Sequence, residues 1–331
     1  MHFSKDFFEE EVRADFTISP MMKRAWAAAL EILEVVLDIC HRHDLHCFAA
    51  GGTLLGAIRH QGFIPWDDDI DMMLLREDYN KLIHYLRLEL PDGFVISGMH
   101  ADSPRLRQAA LHVPHLRVIA DEEHWNLASY MTRFHGFPYF RIGIDIFPLD
   151  YMSADQDFCE LQFKTCHTIM FTIQNWELYI KEGLLEDQLK EIERVCEATI
   201  DREADVINQL WHLYDQVASF VSRDESCGEV THMQFASGGQ PPYHGRPLEL
   251  YTSFTTLPFE SMQMPVPKDY IRAVKLLFGD NYMTPIRFGA AHDYPFYKNQ
   301  EIALQAMFDA DGIETSIEDF CRNWQKAMGE I

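Results

Sequence analysis

With 331 residues and 47% apolar content, the chain can build one large or two small domains with a proper core. Its net charge of −24, from 28 basic and 52 acidic residues, excludes general nucleic-acid binding, which relies on Lys and Arg to neutralise phosphates, and leaves no polybasic patch for an anionic membrane. Seven scattered cysteines without C-x-x-C spacing read as reduced thiols of a cytoplasmic protein. The stretch from Met1 to Asp15 lacks the apolar run of a signal peptide. No segment approaches the roughly 18 apolar residues of a transmembrane helix, so membrane contact is at most peripheral, at the inner face.

Residues 1–18 read as an arm. Ser19-Pro20 then starts a helix, Ser as N-cap and Pro in the first turn, which runs to about His43 with Trp26, Leu30, Leu33, Val36 and Leu37 as its apolar stripe. The thiols and imidazoles between Cys40 and Cys47 raise the question of zinc, but a cationic helix C-terminus is the favoured reading. A short strand from His46 to Ala50 enters Gly51-Gly52, and Thr53 to His60 forms the next helix. Asp67, Asp69 and Asp71 fall at i, i+2 and i+4, so on a strand all three share one face while Asp68 and Ile70 face the other way. Arg76 to Leu90 is an amphipathic helix, and Phe94 to Ser97 and about 113 to 120 are further strands. Tyr139 to Phe147 is a strand with Asp145 among apolar neighbours, where a carboxylate needs a partner, either a functional one or a buried Arg or backbone amides, and Asp150 reads as a loop or cap residue. From about Ala154 to Ser222 the period is helical and predicts a bundle. Residues 237–242 mark a loop, and 243–246 could supply an acceptor-side contact. Thr252 to Met264 is strand-like, Lys268 to Phe278 is a helix closed by Gly279, and the last helix covers about Ser316 to Met328.

The chemistry concentrates between Ala49 and Tyr79. Gly51 and Gly52, opening a helix with Thr53, allow the close backbone approach and N–H donors that phosphate oxygens need. Four carboxylates within residues 67–71 are hard oxygen ligands. Three like charges on one strand face need a neutralising cation, which predicts Mg²⁺ or Mn²⁺, whereas a solvated acidic turn, the alternative reading, tolerates them. Arg59 could clamp a phosphate with its planar fork or cap its helix. Trp66 could stack on a base or a choline-like cation, or pack the loop. Among Arg105, Arg107 and Arg117, one could meet a diphosphate, against a surface ion-pair role for any single one.

G-G-T-L-L-G-A-I-R-H-x-G-F-I-P-W-D-D-D-I-D followed by R-x-D-Y-x-K-L, over residues 51–82, resembles the LicD family, which is related to the fukutin-type transferases and similar in fold to the nucleotidyltransferase superfamily. I-D-I-F-P-L-D at 144–150 and the stretches within 257–285 also resemble it. The resemblance implies an α+β fold: a nucleotidyltransferase-like core of mixed sheet and flanking helices at 19–150, a helical region at 151–240 packed on it, and a C-terminal segment at 241–331 completing the domain. It implies Asp69, Asp71 and Asp145 as metal ligands, Asp145 alternatively as general base, and tips Arg59 toward offsetting charge on a leaving group. Gly51, Gly52, Thr53 and Trp66 would bind the donor. The implied activity moves a phosphorylated small alcohol, foremost phosphocholine, from a CDP-alcohol donor such as CDP-choline to a sugar hydroxyl of a cell-surface glycan, lipopolysaccharide or teichoic-acid precursor, lipid-linked or free, releasing CMP. A nucleotidyltransferase using a nucleoside triphosphate and releasing pyrophosphate is the alternative within enzymes. A non-catalytic nucleotide-binding scaffold is the alternative outside them.

Overall fold

The computed structural model describes residues 1–109, 114–236, 245–287 and 294–328; the readings of a loop at 237–242 and of an acceptor contact at 243 and 244 lie outside these. The N-terminal arm is a hairpin, β1 (Glu11–Arg13) and β2 (Phe16–Ile18), turning through Ala14 and Asp15 in left-handed backbone. Arg13 fastens it to the core by donating to Glu260 at 2.8 Å and to the Phe63 carbonyl at 3.2 Å.

Helix α1 (Pro20–Arg42) starts where Ser19 predicts, its side chain accepting from the Met22 amide. It is buried on nearly all sides, not along one stripe. Even Lys23, Arg24 and Glu31 are covered, and each has a charged partner: Glu11 for Lys23, Glu318 for Arg24, and Arg133 with His135 for Glu31. A buried charge persists only when so paired. Cys40 and Cys47 are buried free thiols.

After β3 (Phe48–Ala49) and α2 (Gly51–Arg59) come β4 (Asp71–Leu75), α3 (Arg76–Glu89), β5 (Phe94–Ser97), α4 (Pro104–Ala109), β6 (Leu116–Ala120), α5 (Leu127–Arg133) and β7 (Gly143–Tyr151). The sheet runs β3-β4-β7-β6-β5, with β4 and β7 parallel and the other neighbours antiparallel. This is the expected mixed sheet with helices against it. Strand β7 begins and ends four residues later than Tyr139–Phe147, because it continues through Pro148. A proline usually ends a strand; here it sits opposite Leu74 inside the ladder.

Helices α6 (Gln156–Gln174), α7 (Trp176–Glu182), α8 (Leu185–Cys196) and α9 (Val206–Ala218) form the bundle, with its own apolar core around Phe163, Ile169, Leu210, Trp211 and Tyr214. Leu161 and Phe171 of α6 are exposed. The bundle is tied to the sheet by charge. Asp150 is on β7, fully buried, and accepts from Arg76 Nε at 2.6 Å, while Arg76 Nη1 donates to Asp215 of α9 at 2.7 Å. Asp150 is therefore a core residue and not a loop or cap. Burial outweighs Arg76 and pushes its carboxyl up to about 6.

The chain closes with β8 (Glu229–Thr231) added to β7, α10 (Met233–Ala236), β9 (Arg246–Pro247), the hairpin β10 (Phe254–Phe259) and β11 (Met262–Pro267), α11 (Tyr270–Phe278), α12 (Lys298–Ala310) and α13 (Ile317–Met328). The last helix and α11 fall where the pattern places them. Helix α12 carries no fully buried residue and no side-chain cap, so neither signal marks it. Among the described residues no helix is long and apolar enough to cross a membrane.

Candidate active site

Strand β3 pairs with β4 and delivers the chain into α2 beside the start of β4, where the Ala50 amide donates to the Asp71 carbonyl at 2.9 Å. A Cβ on Gly51 would lie 3.6 Å from Asp71 Oδ2, and one on Gly52 only 2.5 Å from Asp67 Oδ2. The two glycines thus lie directly against the carboxylates. Gly51 also holds φ +43°, a backbone glycine adopts without strain. Thr53, read as a phosphate-orienting residue, is buried, and its hydroxyl accepts from the Asp71 amide at 2.9 Å, so it positions the first residue of β4.

Only Asp71 of the three alternating aspartates lies on a regular strand; Asp67 and Asp69 precede it in extended chain. The alternation still governs their facing. Asp67, Asp69 and Asp71 are half-buried, whereas Asp68 and Ile70 are buried on the opposite side. Asp68 accepts from the Phe296 amide at 2.7 Å. The loop is held further by Trp26, whose indole N–H donates to the Asp67 carbonyl at 3.0 Å.

Asp145 is the direct register partner of Asp71 in the parallel β4–β7 ladder. On its other side it faces Arg117 of β6, whose Nε stands 3.3 Å from Asp145 Oδ1. His115 Nε2 lies 3.4 Å from the same oxygen, while its Nδ1 meets Gln234 Oε1 at 3.3 Å and its ring leans on Phe147. Of the three candidate arginines, only Arg117 reaches these carboxylates. Arg105 pairs with Asp121 and Glu123, and Arg107 bonds the Ala101 and Asp102 carbonyls. His115 was not singled out by its residue type or spacing; its position one strand over from Asp145 is the only signal.

The electrostatics are those of a charge-deficient site. Burial raises the Asp71 carboxyl well above its usual range, and the charges of Asp69, Asp145 and Asp67 raise it further against the pull of Arg117. Burial and then Asp69 do the same to Asp67. A divalent cation fits this donor set, being hard and matched to carboxylate oxygen. Among the described residues no three such side chains already close on one point.

Arg59, at the far end of α2, donates to the carbonyls of Tyr282 at 3.0 Å and Thr284 at 3.4 Å, securing the segment after α11. Trp66 is half-buried, edge-on to Phe16 and His60, with the Arg287 guanidinium over its face.

Residues 44–148 match the family described as LicD/FKTN/FKRP, nucleotidyltransferase domain. A 54-residue stretch is 48% identical to the lipopolysaccharide cholinephosphotransferase LicD of Haemophilus influenzae, covering 16% of this chain and 20% of that protein. Over 53 residues it is 40% identical to an uncharacterised protein of Rickettsia prowazekii, 15% of this chain and 20% of the relative. Over 81 residues it is 36% identical to an uncharacterised Caenorhabditis elegans protein, 24% and 21%. The matched stretches span about a fifth of the length of these curated relatives. With the D-D-D-I-D loop and the paired Asp71 and Asp145 strands inside the matched region, residues 44–148 are similar to the nucleotidyltransferase domain of the LicD family.

Proposed function

We propose that the protein is a metal-dependent transferase that moves a phosphorylated small alcohol, phosphocholine first among the candidates, from a CDP-alcohol to a sugar hydroxyl. The observation that carries this reading is the rung shared by Asp71 and Asp145, with the Gly51-Gly52 backbone against the neighbouring carboxylates. A diphosphate needs a cation on one side and backbone N–H groups on the other, and the two halves adjoin here. The name of the Haemophilus relative supports phosphocholine as the group carried.

In this reading Asp69, Asp71 and Asp145 hold Mg²⁺ or Mn²⁺, which when bound supplies Lewis-acid stabilisation of charge on the phosphate oxygens. The acceptor oxygen attacks the phosphorus bearing the alcohol, the P–O bond to the CMP phosphate breaks, and CMP departs. The hydroxyl proton passes to a carboxylate of the cluster. Gly51 and Gly52 orient phosphate oxygens through the opening of α2. Thr53 fixes Asp71, and Arg117 and His115 fix Asp145. Arg59 offsets leaving-group charge or braces the segment beside the site. Catalysis of this kind is mostly positioning and electrostatics. The acceptor is a glycan or lipid-linked glycan precursor met at a cytoplasmic membrane face.

Calorimetric titration with CDP-choline, CDP-ribitol, CDP-glycerol and CTP, each with and without Mg²⁺, tests it. Magnesium-dependent binding of one CDP-alcohol, followed by CMP release on adding acceptor, is the expected result. Preference for CTP with pyrophosphate release would move the case to nucleotidyl transfer. Binding of none would overturn the reading.

A further inference from the structure

Three aromatic rings from separate parts of the chain meet at the front of the acidic loop. Phe16 of the N-terminal hairpin and Trp66 lie 6.0 Å apart between centroids at 63°, and Phe16 and Tyr294, ahead of α12, lie 6.1 Å apart at 76°. In each pair an edge meets a face, and Trp66 and Phe16 both still present a face to a cation. A cation already sits against two of them. The Arg287 guanidinium carbon is 5.2 Å from the Trp66 centroid and 5.5 Å from that of Phe16. Its Nη2 donates to the carbonyls of Asp15 at 2.6 Å and Ala14 at 3.2 Å, and the side chain is exposed.

The box adjoins the candidate metal site. Trp66 directly precedes Asp67, and the Tyr294 phenol, raised first by burial, also feels the negative charges of Asp68 and Asp67. Ring faces beside carboxylates favour a positive guest twice over, by quadrupole and by field. Two kinds of cation suit such a place differently. A guanidinium also wants hydrogen-bond acceptors and finds them in the turn carbonyls, whereas a quaternary ammonium has no N–H and is recognised only by ring faces and charge. An exposed arginine held by two backbone carbonyls can leave for water at little cost.

We propose that the Phe16, Trp66 and Tyr294 box receives a quaternary ammonium, the head of the donated phospho-alcohol, and that Arg287 is its tethered occupant, displaced when the donor binds. This rests on the phospho-alcohol transfer reading above and names the chemistry that selects the donor. Arg287 then acts as a built-in competitor, so its removal strengthens binding of the cationic donor instead of weakening it.

The experiment is calorimetry on the full chain, wild type against Arg287→Gln, Trp66→Leu and Phe16→Leu, with CDP-choline, CDP-glycerol and tetramethylammonium chloride as probes. Arg287→Gln is expected to tighten CDP-choline several-fold and leave CDP-glycerol unchanged. Trp66→Leu and Phe16→Leu are expected to weaken CDP-choline and tetramethylammonium by about tenfold, the loss of roughly one desolvated cation–aromatic contact, with CDP-glycerol changed less than about twofold. Equal weakening of both CDP-alcohols by Arg287→Gln would make it a phosphate ligand and overturn the proposal. A lowered melting temperature with no change in donor preference would make Arg287 a clamp for the hairpin and overturn it too. If wild type binds neither CDP-alcohol, the transfer reading fails by itself. The box then stands or falls on tetramethylammonium, which must bind wild type and be lost in Trp66→Leu and Phe16→Leu.

Discussion

Asp71 and Asp145 are direct register partners across two parallel strands. Two carboxylates placed so, with Asp67 and Asp69 beside them, repel one another unless a cation intervenes. Asp71→Asn and Asp145→Asn are expected to lower turnover by at least about a hundredfold, the scale of losing a preorganised electrostatic group. Without metal, Asp71→Asn should melt at or above the wild-type temperature, because repulsion is relieved. The stabilisation that Mg²⁺ gives wild type should disappear. Scanning fluorimetry with Mg²⁺ and with EDTA measures both, and a wild-type response to Mg²⁺ in Asp71→Asn would sink the metal assignment.

Gly52 offers a test that leaves every carboxylate in place. An added methyl would lie 2.5 Å from Asp67 Oδ2, so either the side chain or the helix start must move. Gly52→Ala is expected to cut turnover by about ten- to a hundredfold, since small displacements at a positioned site are costly. Its far-ultraviolet circular dichroism and melting temperature should stay close to wild type. Unchanged kinetics would mean that the opening of α2 does not touch the donor.

The tie between sheet and bundle gives a stability prediction. Arg76→Met leaves Asp150 buried beside Asp215 without their shared cation. Breaking such a pair by removing one partner typically costs ~3–5 kcal/mol. Urea denaturation should show that loss, and adding Asp150→Asn to the same chain should recover part of it. Additive losses in the double variant would contradict the coupling.

Glu31 supplies the pH dependence. Burial by itself would raise its carboxyl, but His135 and Arg133 hold it at about 2, below its ordinary 4.5. A depressed carboxyl stabilises the fold above its unfolded value and loses that contribution as pH falls toward the folded one. Glu31→Gln should therefore lose about 2 kcal/mol at neutral pH once solvent screening is allowed for. The gap to wild type should close between pH 4.5 and about 2. A gap that is constant with pH would place the effect in packing alone.

What the sequence made legible was whatever local pattern controls. Ser19-Pro20 marked α1, the glycines marked α2, and Gly279 marked the end of α11. The alternation from Asp67 to Asp71 fixed which carboxylates face together, even though the regular strand begins only at Asp71. The α+β class followed from these elements and the resemblance. Hidden were the features set by distant partners. Asp150 looked like a loop residue because its cation lies 74 positions upstream. The burial of α1 depends on α13 covering Arg24. Arg117 could not be told from Arg105 and Arg107, because only the β6–β7 register brings one of them to Asp145. Phe16, Arg287 and Tyr294 carry no shared motif at all.

The bond from the Phe296 amide to the back of Asp68 sets where this protein can be cut. A fragment ending after the family-like stretch at residue 285 would keep every candidate ligand and lose the brace behind them. Grafting residues 51–75 onto another scaffold would likewise carry the charges without the spacing that makes them useful. The smallest portable unit of this site runs from the N-terminal hairpin to the first turn of α12, so its boundaries are drawn by hydrogen bonding and not by motif.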